Sequence, residues 1–165
     1  MKLALSFAWY LIQFLKLVFS SLIIILGYLL IFDSTFWEAT QPNPWSENLL
    51  WMSIFVFGIL ALIACNKLNR SIKNIKNKLI FTIQNKKAFQ FAAITTSCYL
   101  AGKHVLLFYL HSVDEQKIAW QALWNNSNTQ FSEVISLGLL ASFFWIIAQL
   151  ISEGITYKTE NDLTI

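Results

Sequence analysis

KLNRSIKNIKNKLIFTIQNKK, residues 67–87, holds seven basic side chains and no acid: Lys67, Arg70, Lys73, Lys76, Lys78, Lys86 and Lys87. Long apolar runs flank this stretch on both sides. A basic island between two apolar runs is the pattern of a cytoplasmic loop joining membrane spans, since Lys and Arg are retained on the cytoplasmic side. Everything else in the chain is ordered around that island.

The composition agrees. Of 165 residues, 56% are hydrophobic and 13% are charged, against roughly 25% charged in a soluble domain. Mean hydropathy is +0.55. A single domain of this length cannot bury so much apolar surface in its own interior, whereas a bilayer can cover it. The net charge of +3 is mild, and its excess sits in one loop. Basic loops also mark nucleic-acid binders, but between two spans the membrane explains the charge, so direct nucleic-acid binding is not expected.

Working outward, four spans are expected, at about 5–32, 49–65, 88–110 and 134–151. About 20 apolar residues cross a bilayer. The first run exceeds the core of a signal peptide, about 7–15 residues, and is read as an uncleaved span in which Lys16 reaches towards the headgroups. The basic loop then covers 66–87 and a polar tail 152–165. The outer connections hold few bases: none in 33–48 and only Lys117 in the second. Both termini are therefore expected inside. The fold class is all-α, an antiparallel bundle of four transmembrane helices, since an open sheet leaves its backbone groups unpaired in lipid.

Local signals add detail. Pro42 and Pro44 interrupt the first outer connection, and Ser46 and Thr82 are candidate N-caps for the second and third spans. Leu68, Ile72, Ile75 and Leu79 recur at helical spacing with the basic residues on other faces, an amphipathic continuation of the second span. It could lie on the inner leaflet or project from it. Ser112 and Glu115 have capping-box spacing, followed by a short outer interfacial helix carrying Trp120 and Trp124. Trp37 and Trp45 suit the first outer boundary. Cys65 and Cys98 read as small buried hydrophobes. Gly138 with Ser142, and Ser97 with Ala101, have the four-residue spacing that lets membrane helices approach. Self-association of the chain is left open by the sequence.

Lys103 and His104 are the least expected residues in the third span. An ionisable side chain inside a membrane marks a candidate functional site. Lys103 already lies in the outer half, so reaching the outer headgroups is the competing explanation.

The tail is more specific than an exit requires. Glu160, Asn161, Asp162, Leu163, Thr164 and Ile165 close the chain. This ending resembles that of a bacterial family of small four-span membrane proteins known as a domain of unknown function, whose members commonly end in Glu-Asn-Asp-Leu-Thr and Ile or Val. The family also tends to carry Asn-Pro-Phe-Thr, two variable residues and Asn before its third span. Phe81, Thr82 and Asn85 fit that pattern, with Ile80 where the proline would stand. The resemblance implies a bacterial inner-membrane protein whose gene neighbours small helix-turn-helix regulators. A cytosolic DNA-binding partner is then expected, with Phe81, Thr82, Asn85 and 160–164 as docking residues. Pairing of Glu160 and Asp162 with loop lysines is the structural alternative.

No nucleophile, base and orienting acid come together in the sequence, and no cofactor or metal is expected. His104 and His111 are seven apart, but zinc requires three or four protein ligands; Asp114 and Glu115 would have to complete an outer site. A non-enzymatic regulatory protein is the leading expectation. An immunity or envelope-stress protein against membrane-active peptides is the second, and a small transporter or channel subunit using Lys103 and His104 the third.

Overall fold

A computed structural model describes residues 2–32, 44–114 and 127–163. Those residues form four helices: α1 (Lys2–Phe32), α2 (Pro44–Lys76), α3 (Ile83–Asp114) and α4 (Ser127–Leu163). Thr164, Trp37, Lys117 and the expected helix bearing Trp120 and Trp124 lie outside the described residues.

α1, α2 and α4 are long and apolar enough to cross a membrane, over Leu5–Leu29, Trp51–Lys76 and Ser132–Asp162. Only 11%, 22% and 17% of their most apolar windows are buried within the molecule. Their apolar surface therefore faces outward, as in a membrane protein. α3 is of similar length, 32 residues, but carries Lys103 and His104 along its course.

Each helix exceeds its expected span. As the spacing of Leu68, Ile72 and Ile75 predicts, the second span and its amphipathic continuation are one helix, which opens with Pro44 at its first position, where a missing N–H costs nothing. Ser46 is thus inside the first turn rather than its cap. α3 runs through Ser112 to Asp114; Glu115, the other half of the expected capping box, lies outside the described residues. The polar tail has helical structure of its own. Residues 152–163 continue α4 as helix. Hydropathy falls there, but nothing in the sequence breaks the backbone, and the hydroxyls of Thr156 and Thr159 donate to the Ser152, Ile155 and Thr156 carbonyls of the same helix.

Extensive packing joins α1 to α2, α2 to α3 and α3 to α4. Among the described residues α1 and α4 share no interface of that extent. Ile12, Cys65 and Ile72 form a buried cluster with Leu5, Ala8, Trp9, Leu15, Phe19 and Leu68 around it. The α1 members recur every three or four residues, the seam of a helix pair. This settles the amphipathic continuation of α2: Leu68 and Ile72 turn their apolar face onto the first turns of α1, so the segment stands beside α1. Ala88, Ala92 and Ala93 are buried on α3, and small side chains there let it sit between two neighbours. On its α2 side, Gly102 admits the ring of Phe57, which also meets Tyr99 edge to face at 5.4 Å.

The small-residue pairs do not serve these interfaces. Ser97, Ala101 and Ser142 are exposed, and Gly138 faces open space. Cys98 is exposed as well, unlike Cys65; helical geometry turns it away from both neighbours of α3.

Candidate functional site

The turn between α2 and α3 is much tighter than the basic loop read from the sequence, because only residues 77–82 are non-helical. α2 ends in a Schellman motif. Lys78 adopts a left-handed φ of 64°, its N–H donates to the Ile75 carbonyl at 3.0 Å, and Leu79 N–H donates to the Asn74 carbonyl at 2.9 Å. Lys occupies the position that glycine usually fills. α3 then begins with the cap expected: Asn85 N–H donates to Thr82 Oγ1 at 3.3 Å.

Asn85 holds the turn together. It is fully buried. Its Nδ2 donates to the carbonyls of Leu79 and Ile80 at 2.8 and 2.9 Å, and its Oδ1 accepts from Asn74 Nδ2 at 3.1 Å. Both amide protons and the carbonyl oxygen are thereby used. Asn85 and Thr82, placed by the sequence among docking residues, act here on the shape of the turn; burial leaves Asn85 no surface to offer a partner.

Phe81 is different. Half exposed, its ring also lies on Gly154 of α4: a Cβ built on Gly154 would come within 2.8 Å of Phe81 Cγ and closer still to Cδ1 and Cε1. Beside this contact, Lys86 Nζ donates to Ser152 Oγ at 2.9 Å. The turn and the start of the polar part of α4 are thus one structural unit. Beyond it, Tyr157, Lys158, Glu160, Asn161 and Asp162 are exposed on the continuing helix. Leu163 is the last helical residue.

The second candidate site lies at the other end of α3. Lys103 Nζ donates to Glu133 Oε2 of α4 at 2.5 Å, each side chain about one-third exposed. The sequence singled out Lys103 but not its partner. Glu133 sits at the polar start of the fourth apolar run, where it reads as loop, and only the register of α3 on α4 brings the two together. His104 faces elsewhere: its Nε2 is enclosed, with no hydrogen-bond partner among the described residues. Among the described residues no three His, Cys, Asp or Glu side chains converge to hold a metal.

Chemically, the first site is a basic turn fastened to the exposed end of α4. The second is a salt bridge linking two helices. No protein-family model, curated protein or solved structure matches the chain.

Proposed function

We propose that this chain is a four-span protein of the bacterial inner membrane, antiparallel throughout, with both termini and the basic turn in the cytoplasm, and that it regulates or holds a cytosolic partner without catalysing a reaction. The class of partner, a small helix-turn-helix regulator, rests on the resemblance of residues 81–85 and 160–165 to the four-span family.

The observation that carries this reading is the continuity of α4. At 37 residues it is about 55 Å long at 1.5 Å per residue, against a hydrocarbon core of about 30 Å. Its polar end projects from the apolar layer as a formed helix and is pinned to the turn through Gly154 and Ser152. A partner would meet Glu160, Asn161 and Asp162 on a preorganised surface, at little entropic cost of ordering a tail. Order along the helices supports the antiparallel arrangement. Lys86 meets Ser152 while Lys103 meets Glu133, and Asn74 meets Asn85 while Phe57 meets Tyr99. The bases of 67–87 support the inward orientation.

The test is affinity capture from solubilised native membranes with full-length protein and with a form ending at Tyr157. A small DNA-binding protein recovered only with the full-length chain is the expected result. Recovery of the same partner by the shortened chain would remove the tail from the contact and overturn the proposal. The transporter reading gains less: Lys103 is engaged by Glu133, which suits a structural link between α3 and α4.

A further inference from the structure

Between α2 and α3, just beyond the apolar run that ends at Cys65, a cleft of about 310 Å³ is lined by Lys67, Arg70, Ser71, Asn74, Gln84, Lys87 and Ala88. Three of these side chains are cationic, three more carry neutral hydrogen-bond donors and none is acidic. We propose that the cleft binds the phosphate of an anionic phospholipid headgroup.

Several features favour a bound phosphate over a merely solvated basic surface. The volume is at the small end of ligand sites, which run roughly 300–1,000 Å³, and suits a headgroup better than a larger ligand. The basic side chains come from two helices whose relative position is set by the Asn74–Asn85 bond and by the two carbonyls that Asn85 holds. Gln84 and Lys87 lie in the first turns of α3, whose amino end carries the positive end of the helix dipole. Lys67 is steered by the ring of Phe91, with Nζ 3.8 Å from the ring centroid. This contact seats the ammonium on an aromatic face at the α2–α3 interface.

Depth selects a lipid over a free anion. The apolar part of α2 ends at Cys65, so Lys67 and Arg70 stand at the level where headgroups begin. Ala88 and Phe91 lead from the cleft back towards the apolar layer, where acyl chains would lie. Basic pockets between membrane helices on the cytoplasmic side take such headgroups. The inference depends on the basic end lying at a headgroup layer, and not on the cytosolic partner.

Native mass spectrometry of the full chain in a neutral detergent, with phosphatidylglycerol and phosphatidylcholine offered together, tests the proposal. One retained phosphatidylglycerol, preferred over phosphatidylcholine, is expected. The double variant Arg70→Gln/Lys87→Gln should lower that retention about thirtyfold, from two lost headgroup attractions. Arg70→Lys/Lys87→Arg should retain the lipid. Lys76→Gln/Lys78→Gln removes the same charge outside the cleft and should also retain it. Equal loss in both neutralised variants would show diffuse attraction and overturn the site, as would equal retention of both lipids. Inorganic phosphate that displaces the lipid at equal concentration would overturn the lipid assignment in favour of a free anion. Partner capture with the chain ending at Tyr157 is read separately, because that truncation leaves every cleft residue in place.

Discussion

The ring of Phe81 rests on the α-carbon of Gly154, seventy-three residues later in the chain, in space that a methyl group would need. This contact and the Lys86–Ser152 hydrogen bond are where the turn and the polar end of α4 become one body. Gly154→Ala should therefore push Phe81 off α4 and destabilise the protein by about 1–3 kcal/mol, the usual cost of overpacking. Phe81→Ala in the same chain should recover most of that loss, because the two changes are coupled. Thermal unfolding of the two single variants and the double variant in detergent measures this. Additive losses would show that the two residues do not share the space.

Asn85 should tolerate almost no substitution. Asn85→Ala leaves the Leu79 and Ile80 carbonyls and the Asn74 amide without their partner, at about 1–3 kcal/mol for each buried group left unmade. Asn85→Asp should be worse, since a carboxylate turns acceptors towards two carbonyls. Denaturant unfolding reads both. Wild-type stability in Asn85→Asp would mean that the two carbonyl bonds contribute nothing.

Lys78 pays a steric penalty for its left-handed φ of 64°. Lys78→Gly should raise stability by about 1 kcal/mol, because glycine adopts that conformation without a Cβ clash. Lys78→Val should lower it. A melting temperature that falls in Lys78→Gly would contradict the Schellman ending of α2.

The Lys103–Glu133 bridge should show strong non-additivity. With each side chain about one-third exposed, losing one partner leaves a partly enclosed charge at about 1–2 kcal/mol, less than the roughly 3–5 kcal/mol of a fully buried pair. Lys103→Met/Glu133→Leu should return close to wild type. A double-mutant cycle with zero coupling energy would remove the bridge as a link between α3 and α4.

Much of this architecture is legible in residues 67–87. Seven bases without an acid mark the basic end of a chain whose flanking apolar runs form helices long and apolar enough to cross a membrane. Thr82 reads as a cap because its hydroxyl acts on an amide only three residues away, a local interaction that sequence spacing can show. Ser46, read as the cap of the second span, likewise falls within two residues of the start of α2 at Pro44.

The end of α4 was not legible, for a physical reason. Hydropathy reports which solvent a side chain prefers, and it falls at Glu153. Helix continuity depends on backbone bonding and on the absence of breakers, and both persist to Leu163. Cys98 illustrates a related limit: an apolar run shows the local hydropathy around a residue, not whether it faces a neighbouring helix.

By itself the sequence determined the all-helical, membrane-compatible character of the chain, the position of the basic turn and the cap at Thr82. Each follows from composition or from contacts a few residues apart. Only the tertiary structure decided that Asn85 is a buried lock, that Glu133 answers Lys103, that Phe81 seats on Gly154 and that Lys67, Arg70 and Lys87 line one cleft. Lys103 and Glu133 are 30 residues apart, and Lys86 and Ser152 are 66 apart. Pairings at such separations are set by the register of one helix on another, and that register comes from side chains packing in three dimensions.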